Sequence, residues 1–178
     1  AGVATNLMLM KFQCHFLSVP VAILGCVGLI CTSAYAMDTG ILDLAVTQEE
    51  TTLQARVGVA VIDTDSGLTW QHRGDERFPL NSTHKAFSCA AVLAQADRHK
   101  LNLEQAIPIE RTALVTYSPV TERVPPGGTL TLRELCRAAV SISDNTAANL
   151  ALDAIGGART FTAFMRSIGD DKTRLDRR

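Results

Sequence analysis

The sequence lacks an excess of charge of either sign, because 17 Lys and Arg residues are balanced by 18 Asp and Glu residues and the formal net charge is −1 at pH 7. A near-neutral chain has no electrostatic reason to bind nucleic acid or an anionic membrane surface, so we expect neither as a partner. The sequence also lacks a long biased tract, and its hydrophobic share of 47% is ordinary for a globular protein. These absences argue against a disordered chain and favour one folded domain, or one and a fraction, in 178 residues.

The N-terminal region lacks the pattern of a folded domain. Lys11 precedes an almost wholly apolar run from Phe16 to Ile30, and Ala34-Tyr35-Ala36 follows as the small-x-small triplet that signal peptidase cleaves. We therefore predict a signal peptide over residues 10–36 and upstream read-through over residues 1–9. This pattern predicts export, with no membrane attachment after cleavage.

Two other interpretations of this region stay open. A transmembrane anchor is one, although the apolar run is short for a span and contains Pro20. Lipid attachment at Cys26 is the other, although apolar sequence continues past that cysteine.

Few cysteines would remain after cleavage, because Cys14, Cys26 and Cys31 lie in the predicted signal peptide and only Cys89 and Cys136 follow it. An exported protein with two cysteines can form one disulfide. Closing a loop of that size would stabilise the fold by about 4 kcal/mol in the chain-entropy model. Two buried free thiols are the alternative.

Hydrophobic periodicity predicts a helix, a hairpin and then several helices. The helix after Ser82 is apolar on nearly every side, which predicts a buried central helix with Ser82 at its start. A two-stranded hairpin is marginal alone, so we expect the sheet to need strands that this chain does not contain. The predicted elements are a helix at 41–53 with one packed face, strands at 56–63 and 68–71, and helices at 85–97, from Thr131 until an interruption at 141–145, at 146–155 and at 160–168.

Ser82 and Lys85 form a Ser-x-x-Lys motif at the start of the predicted central helix. Three residues along a helix place both side chains on one face, with about 5 to 6 Å between their Cβ atoms. A neutral lysine there can take the hydroxyl proton, and the positive end of the helix favours the negative charge that develops. Alone, the motif is equally compatible with an N-capping serine followed by a surface lysine.

Ser143-Asp144-Asn145 is a second polar motif. Its serine hydroxyl can relay a proton to a leaving nitrogen, and its asparagine amide can hold a substrate carbonyl. An ordinary turn between helices would also contain these residue types. The combination is more specific, because Ser-x-x-Lys followed by Ser-Asp-Asn is the signature of penicillin-recognising serine enzymes.

These motifs make residues 38–178 resemble the class A β-lactamases, and the carbenicillin-hydrolysing branch most closely. The resemblance implies an α/β fold of the β-lactamase/penicillin-binding type, in which an all-helical region packs on a mixed α/β sheet domain. Residues 37–178 would be the N-terminal part of this catalytic domain, without its C-terminal strands and helix. The resemblance rests on segments 77–85, 114–120, 143–149, 156–157 and 171–177.

The resemblance also implies a role for each site residue. Ser82 would be acylated by the lactam carbonyl, Lys85 would shuttle its proton, and Ser143 would pass a proton to the lactam nitrogen. Asn145 would hold the side-chain amide of the substrate, and Tyr117 would wall the entrance. The backbone N–H of Ser82 would form half of an oxyanion hole.

Further implications concern the whole protein. It would be a monomeric hydrolase of β-lactams that confers antibiotic resistance, with a small-molecule substrate and no cofactor. Cys89 and Cys136 match the disulfide positions of the family. No metal is expected, because His72, His84 and His99 lack the spacing of zinc ligands. His84 departs from the commoner Phe or Ser at its position, and we interpret it as a tolerated variation.

Two family elements fall beyond the chain, namely the Glu of an Arg-x-Glu-Pro loop, which Arg177 and Arg178 would open, and a Lys-Thr-Gly strand. We therefore expect a partial sequence that is inactive by itself. A penicillin-binding transpeptidase or carboxypeptidase and a non-hydrolysing β-lactam sensor are the alternatives. The Glu would distinguish a β-lactamase from these alternatives, because its presence predicts turnover, whereas its absence predicts a trapped acyl-enzyme.

Overall fold

The structure, a computed structural model, describes residues 39–176. It divides after Pro79 into two units, each with its own secondary structure. Within the described range, no helix has both the length and the hydropathy that crossing a membrane requires. The predicted read-through and signal peptide at 1–36 lie outside the described residues.

In its described part, residues 39–79, the first unit contains one helix and one hairpin. Helix α1 spans Thr39–Leu53, and strand β1 (Val59–Ile62) pairs antiparallel with β2 (Thr69–His72). The turn between the strands closes where Gly67 adopts φ +72° and donates its N–H to the carbonyl of Asp63 at 2.8 Å. The predicted helix and hairpin are thus confirmed, with β1 shorter than the predicted 56–63 and β2 shifted by one residue from the predicted 68–71.

Helix α1 buries none of its side chains, so the predicted packed apolar face is wrong for the described residues. Ile41 is 65% exposed and Leu44 is 75% exposed. Charged contacts link α1 to the hairpin instead. Glu50 accepts hydrogen bonds from Arg73 at 2.6 Å and from the backbone of Val57 at 2.8 Å. These bonds, with that from Arg73 the strongest, lower the pKa of Glu50 to about 2.

Up to residue 176, the second unit contains four α-helices, three short 3₁₀ turns and one small antiparallel sheet. The sheet joins two three-residue strands that the sequence analysis did not predict, because segments so short carry no readable periodicity. The elements are α2 (His84–Asp97), β3 (Ala106–Pro108), β4 (Thr129–Thr131), α3 (Leu132–Ile142), α4 (Asn145–Ala154) and α5 (Gly157–Ser167), with β3 paired to β4.

The core of this unit lies among its four helices. Each helix contributes side chains that are at most 2% exposed, such as Val92, Leu132, Leu152 and Phe161. Helix α2 packs through one side only, since Phe87 is 37% exposed and Leu93 is 49% exposed. The expectation of a helix buried on nearly every side is therefore wrong for the described residues.

A capping box begins α3, where the sequence predicted a helix from Thr131. The Thr131 hydroxyl accepts the Glu134 N–H at 3.1 Å, and the Glu134 carboxylate accepts the Thr131 N–H at 2.7 Å. Helix α3 continues to Ile142, so the predicted interruption at 141–145 shortens to two residues. Ser143 is the left-handed C-cap of α3, with φ 62°, and Asp144 is the N-cap of α4. Two helices therefore meet at a sharp corner that contains the Ser-Asp-Asn motif.

The last helix, α5, begins three residues before the predicted 160–168 and ends one residue before its end. Phe161 and Met165 are buried, whereas Ile168 is 55% exposed because α5 ends at Ser167. Beyond α5, the Leu175 N–H donates to the Thr162 hydroxyl at 3.1 Å. Arg166 donates to the carbonyl of Asp170 at 2.6 Å. These contacts hold segment 170–176 against the helix.

Candidate active site

Ser82 lies in a 3₁₀ turn, Asn81–Thr83, that leads directly into α2. The prediction that Ser82 begins the α-helix is therefore wrong by two residues, because α2 begins at His84. Thr83 and His84 keep right-handed helical dihedral angles, so the helical backbone is continuous from Ser82 to Lys85. Residues three apart on such a backbone share a face. Ser82 is exposed, whereas Lys85 is only 3% exposed.

The Lys85 side chain connects α2 to the corner between α3 and α4. Its Nζ donates to the Ser143 carbonyl at 2.8 Å, to the Ser143 Oγ at 2.8 Å and to the Asn145 Oδ1 at 2.6 Å. An ammonium group has three N–H donors, so these acceptors can satisfy all of them. The fold thus brings Lys85, Ser143 and Asn145 into direct contact, although about sixty residues separate them in the sequence.

The environment of Lys85 favours loss of its proton. Burial lowers the pKa of the Lys85 amine below its usual range, and the nearby Asp144 carboxylate opposes this shift only in part. A neutral amine has a lone pair that can accept a proton from a serine hydroxyl. The Ser143 hydroxyl lies within hydrogen-bond distance of the same nitrogen, so a proton can pass between these two groups.

Asp144 stabilises the backbone next to the site, a role that the sequence analysis missed. It is fully buried, and its carboxylate accepts hydrogen bonds from the backbone N–H groups of Val120 (2.9 Å), Thr121 (3.0 Å) and Ala147 (2.8 Å) and from the Thr121 hydroxyl (3.0 Å). The carboxylate therefore fixes segment 120–121 to the start of α4. Its position just before a predicted helix indicated an N-cap, but the sequence did not indicate the distant groups that donate to its carboxylate.

Tyr117 projects from a loop that contacts Asn145. Its backbone is left-handed, with φ 63°, and its side chain is 62% exposed. The Tyr117 carbonyl accepts the Asn145 N–H at 3.0 Å, and the Thr116 carbonyl accepts the Asn145 Nδ2 at 2.7 Å. The Asn145 amide thus binds Lys85 through its oxygen and Thr116 through one N–H. Its second N–H can serve a further acceptor.

Two buried hydroxyl groups anchor the loop that carries Tyr117. The Ser118 and Thr146 hydroxyls lie 2.7 Å apart, and Thr146 also accepts the Val115 N–H at 3.0 Å. The Ser118 hydroxyl donates to the Val115 carbonyl at 2.8 Å. Nothing in the local sequence marked this pair, because 28 residues separate its members.

Cys89 of α2 and Cys136 of α3 are neighbours and are free thiols in the structure. The Cys89 Sγ lies 3.8 Å from the Cys136 carbonyl oxygen. A hydrogen bond with the Cys136 side chain, together with burial, raises the pKa of the Cys89 thiol. The disulfide expected between them stays a prediction, for which the two residues are suitably placed on adjacent helices.

Among residues 39–176, no three His, Cys, Asp or Glu side chains are grouped closely enough to hold a metal ion. His72 instead contacts Glu50 at 3.2 Å in the first unit.

Comparison with known proteins matches this arrangement to one family. The model of the Beta-lactamase enzyme family matches residues 42–178. An ancestral class A β-lactamase of solved structure superposes with a TM-score of 0.73 at 51% identity, covering 76% of this chain and 52% of that one. The chain belongs to the class A β-lactamase family. The predicted fold class is thereby confirmed.

The matched relatives are also β-lactamases. The chain is 57% identical over 147 residues to β-lactamase AER-1 of Aeromonas hydrophila, covering 83% of this chain and 48% of the relative. It is 48% identical over 128 residues to β-lactamase PSE-4 of Pseudomonas aeruginosa, covering 72% and 44%. The chain therefore spans about half the length of the curated relatives it matches.

Proposed function

We propose that the complete protein hydrolyses the β-lactam amide bond of penicillin-type antibiotics through an acyl-enzyme on Ser82. The observation that carries this proposal is the buried Lys85 amine, which donates to Ser143 and Asn145 and lies one helical turn from the exposed Ser82. Membership of the class A β-lactamase family supports it. The outcome of such a reaction would be β-lactam resistance.

Acylation begins when the Ser82 Oγ attacks the lactam carbonyl carbon and the neutral Lys85 amine takes the hydroxyl proton. The backbone N–H of Ser82 stabilises the oxyanion. As the lactam C–N bond breaks, the nitrogen receives a proton from the Ser143 hydroxyl, and Lys85 returns a proton to Ser143 across 2.8 Å. Water then hydrolyses the ester and regenerates Ser82.

Protonated Lys85 has all three of its N–H groups directed to acceptors and therefore cannot act as a base. Loss of one proton leaves two donors and a lone pair. The two donors can keep the contacts with Asn145 and the Ser143 carbonyl, while the lone pair can accept a proton from the Ser82 or the Ser143 hydroxyl. The lowered pKa of Lys85 makes this form accessible nearer to neutral pH.

The second N–H of the Asn145 amide holds the side-chain carbonyl of the substrate, and Tyr117 lines the entrance. We further propose that residues 10–36 direct export to the periplasm, where Cys89 and Cys136 form a disulfide and the enzyme acts as a monomer. The apolar run and cleavage triplet of the sequence support the export step.

The test uses the complete open reading frame that contains this sequence, expressed with its own N-terminal segment. Nitrocefin hydrolysis is followed for the wild type, for Ser82→Ala and for Ser141→Ala, whose exposed hydroxyl bonds the Arg137 carbonyl on α3. We expect Ser82→Ala to abolish hydrolysis and Ser141→Ala to retain it. A stable acyl adduct without turnover would contradict hydrolysis and favour a penicillin-binding or sensor protein.

A further inference from the structure

The His84 side chain contacts the peptide group that immediately precedes the proposed nucleophile. Its Nδ1 lies 2.6 Å from the carbonyl oxygen of Asn81. A carbonyl oxygen can only accept a hydrogen bond, so His84 is the donor and its Nδ1 carries a proton. This holds for the neutral Nδ1–H tautomer and for the charged ring alike.

The accepting carbonyl and the Ser82 N–H belong to one planar trans peptide. In such a peptide the C=O and the N–H point in opposite directions. The His84 ring, which holds the carbonyl on one side, therefore sets the direction of the Ser82 N–H on the other side. That N–H is the group to which the proposed function assigns half of the oxyanion hole.

This peptide group has a particular need for an external contact. Asn81 has φ 45°, a left-handed conformation that is uncommon for a residue other than glycine. The first N–H groups of a helix also lack partners within the helix, so the turn Asn81–Thr83 does not by itself fix the Ser82 N–H. The contact from His84, one turn further along, supplies a constraint from outside the peptide.

We infer that His84 is a positioning residue that orients and polarises the Asn81–Ser82 peptide and so strengthens its N–H as an oxyanion donor. Polarisation follows because a hydrogen bond accepted by an amide carbonyl makes the N–H of the same amide a better donor. The inference rests on the proposed function, and it replaces our interpretation of His84 as a tolerated variation.

The first experiment compares His84→Phe, His84→Ala and His84→Asn in the complete protein. Phe and Ala remove the donor, whereas the Asn Nδ2 can occupy nearly the position of the imidazole Nδ1. Removing a whole oxyanion donor costs a factor of about 10² to 10³ in rate, so we expect about a tenfold loss from a donor that is only misoriented. The loss should fall on the acylation rate constant in stopped-flow nitrocefin experiments, with the dissociation constant of the noncovalent complex little changed and with Asn retaining most of the rate.

The second readout is the infrared stretch of the acyl-enzyme carbonyl, which responds directly to hydrogen bonding in the oxyanion hole. We expect the band to move to higher wavenumber in His84→Phe and His84→Ala and to stay near the wild-type position in His84→Asn. His99→Asn, at an exposed turn after α2, is the matched control and should change neither rate nor band. Two donor-removing variants are used so that one remains if the other does not fold.

An unchanged rate and band in the folded donor-removing variants would overturn the inference. So would slow acylation in all three variants with an unshifted band, because that pattern indicates packing alone. Ring ¹⁵N shifts of His84 in the free protein test the contact without substrate, and an unprotonated Nδ1 would overturn it. Failure of the wild type to form any acyl-enzyme would instead refute the proposed function, and with it the assignment of His84.

Discussion

Asp144→Ala is the substitution for which the structure predicts the largest loss of stability in the second unit. The Asp144 carboxylate is completely buried and accepts four hydrogen bonds, three from backbone N–H groups and one from the Thr121 hydroxyl. Alanine removes every acceptor and leaves those donors without partners in the interior. It also removes the N-cap of α4.

The expected magnitude follows from the bonds that are lost. Hydrogen bonds to charged groups contribute about 1.5 to 3 kcal/mol each, and partial replacement by water reduces the sum, so we expect a loss of about 4 to 6 kcal/mol. Loss of an N-cap alone costs about 1 kcal/mol, so capping cannot account for a loss of that size. Such a loss is a large part of the stability of an ordinary domain.

The assay is urea unfolding of the complete protein, followed by circular dichroism, for wild type, Asp144→Ala and Asp144→Asn. Asparagine keeps the shape, but its single amide oxygen can replace only one carboxylate oxygen and its NH₂ group faces at least one N–H donor, so we expect a loss of about 3 kcal/mol. Asp97→Ala, at the exposed end of α2, is the control and should change the unfolding free energy by at most about 0.5 kcal/mol. A loss below about 1 kcal/mol for Asp144→Ala would show that these hydrogen bonds do not stabilise the unit as proposed.

Three further predictions concern cysteine pairing, proton transfer and acid stability. The exported protein should show no free thiol at Cys89 or Cys136 in a denaturing thiol titration, and Cys136→Ser should lower the unfolding free energy by about 4 kcal/mol; a full titre of both thiols would contradict the pairing. Because burial lowers the pKa of Lys85, the acylation rate should rise with pH through that lowered pKa in stopped-flow experiments, and Lys85→Arg should lose both the rate and the rise. The pKa of Glu50 is lowered to about 2, so its contribution to stability is present above the unfolded value of about 4.3 and is lost as pH falls from about 4.3 to about 2. Acid titration monitored by circular dichroism should show this loss in the wild type and not in Glu50→Gln.

Local rules explain which parts of the fold could be predicted from the sequence. The capping box of Thr131 and Glu134 has both partners within one turn, so its residues alone locate the start of α3. The hairpin and the helix that ends before Gly156 could also be predicted, because the signals that mark them are local. The exposed side of α2 was not predictable, because composition reports how apolar a helix is and not which neighbours cover it.

The candidate site was likewise predictable only in part. The spacing of Ser82 and Lys85 and the Ser143–Asn145 motif are local features of the sequence, and the resemblance to a family predicted that they belong to one site. The hydrogen bonds from Lys85 to Ser143 and Asn145 could be identified only from the fold. The buried acceptors of Asp144 and the bond from His84 to Asn81 depend on side-chain direction, which hydrophobic periodicity does not encode.

Acid-quench mass spectrometry of the complete protein, mixed with a penicillin and digested, is the most direct test of acylation at Ser82. We expect a transient mass increase equal to one intact penicillin on the peptide that contains Ser82, decaying as the hydrolysed product appears, and no such increase in Ser82→Ala. An adduct on another residue, or hydrolysis that persists in Ser82→Ala, would contradict it.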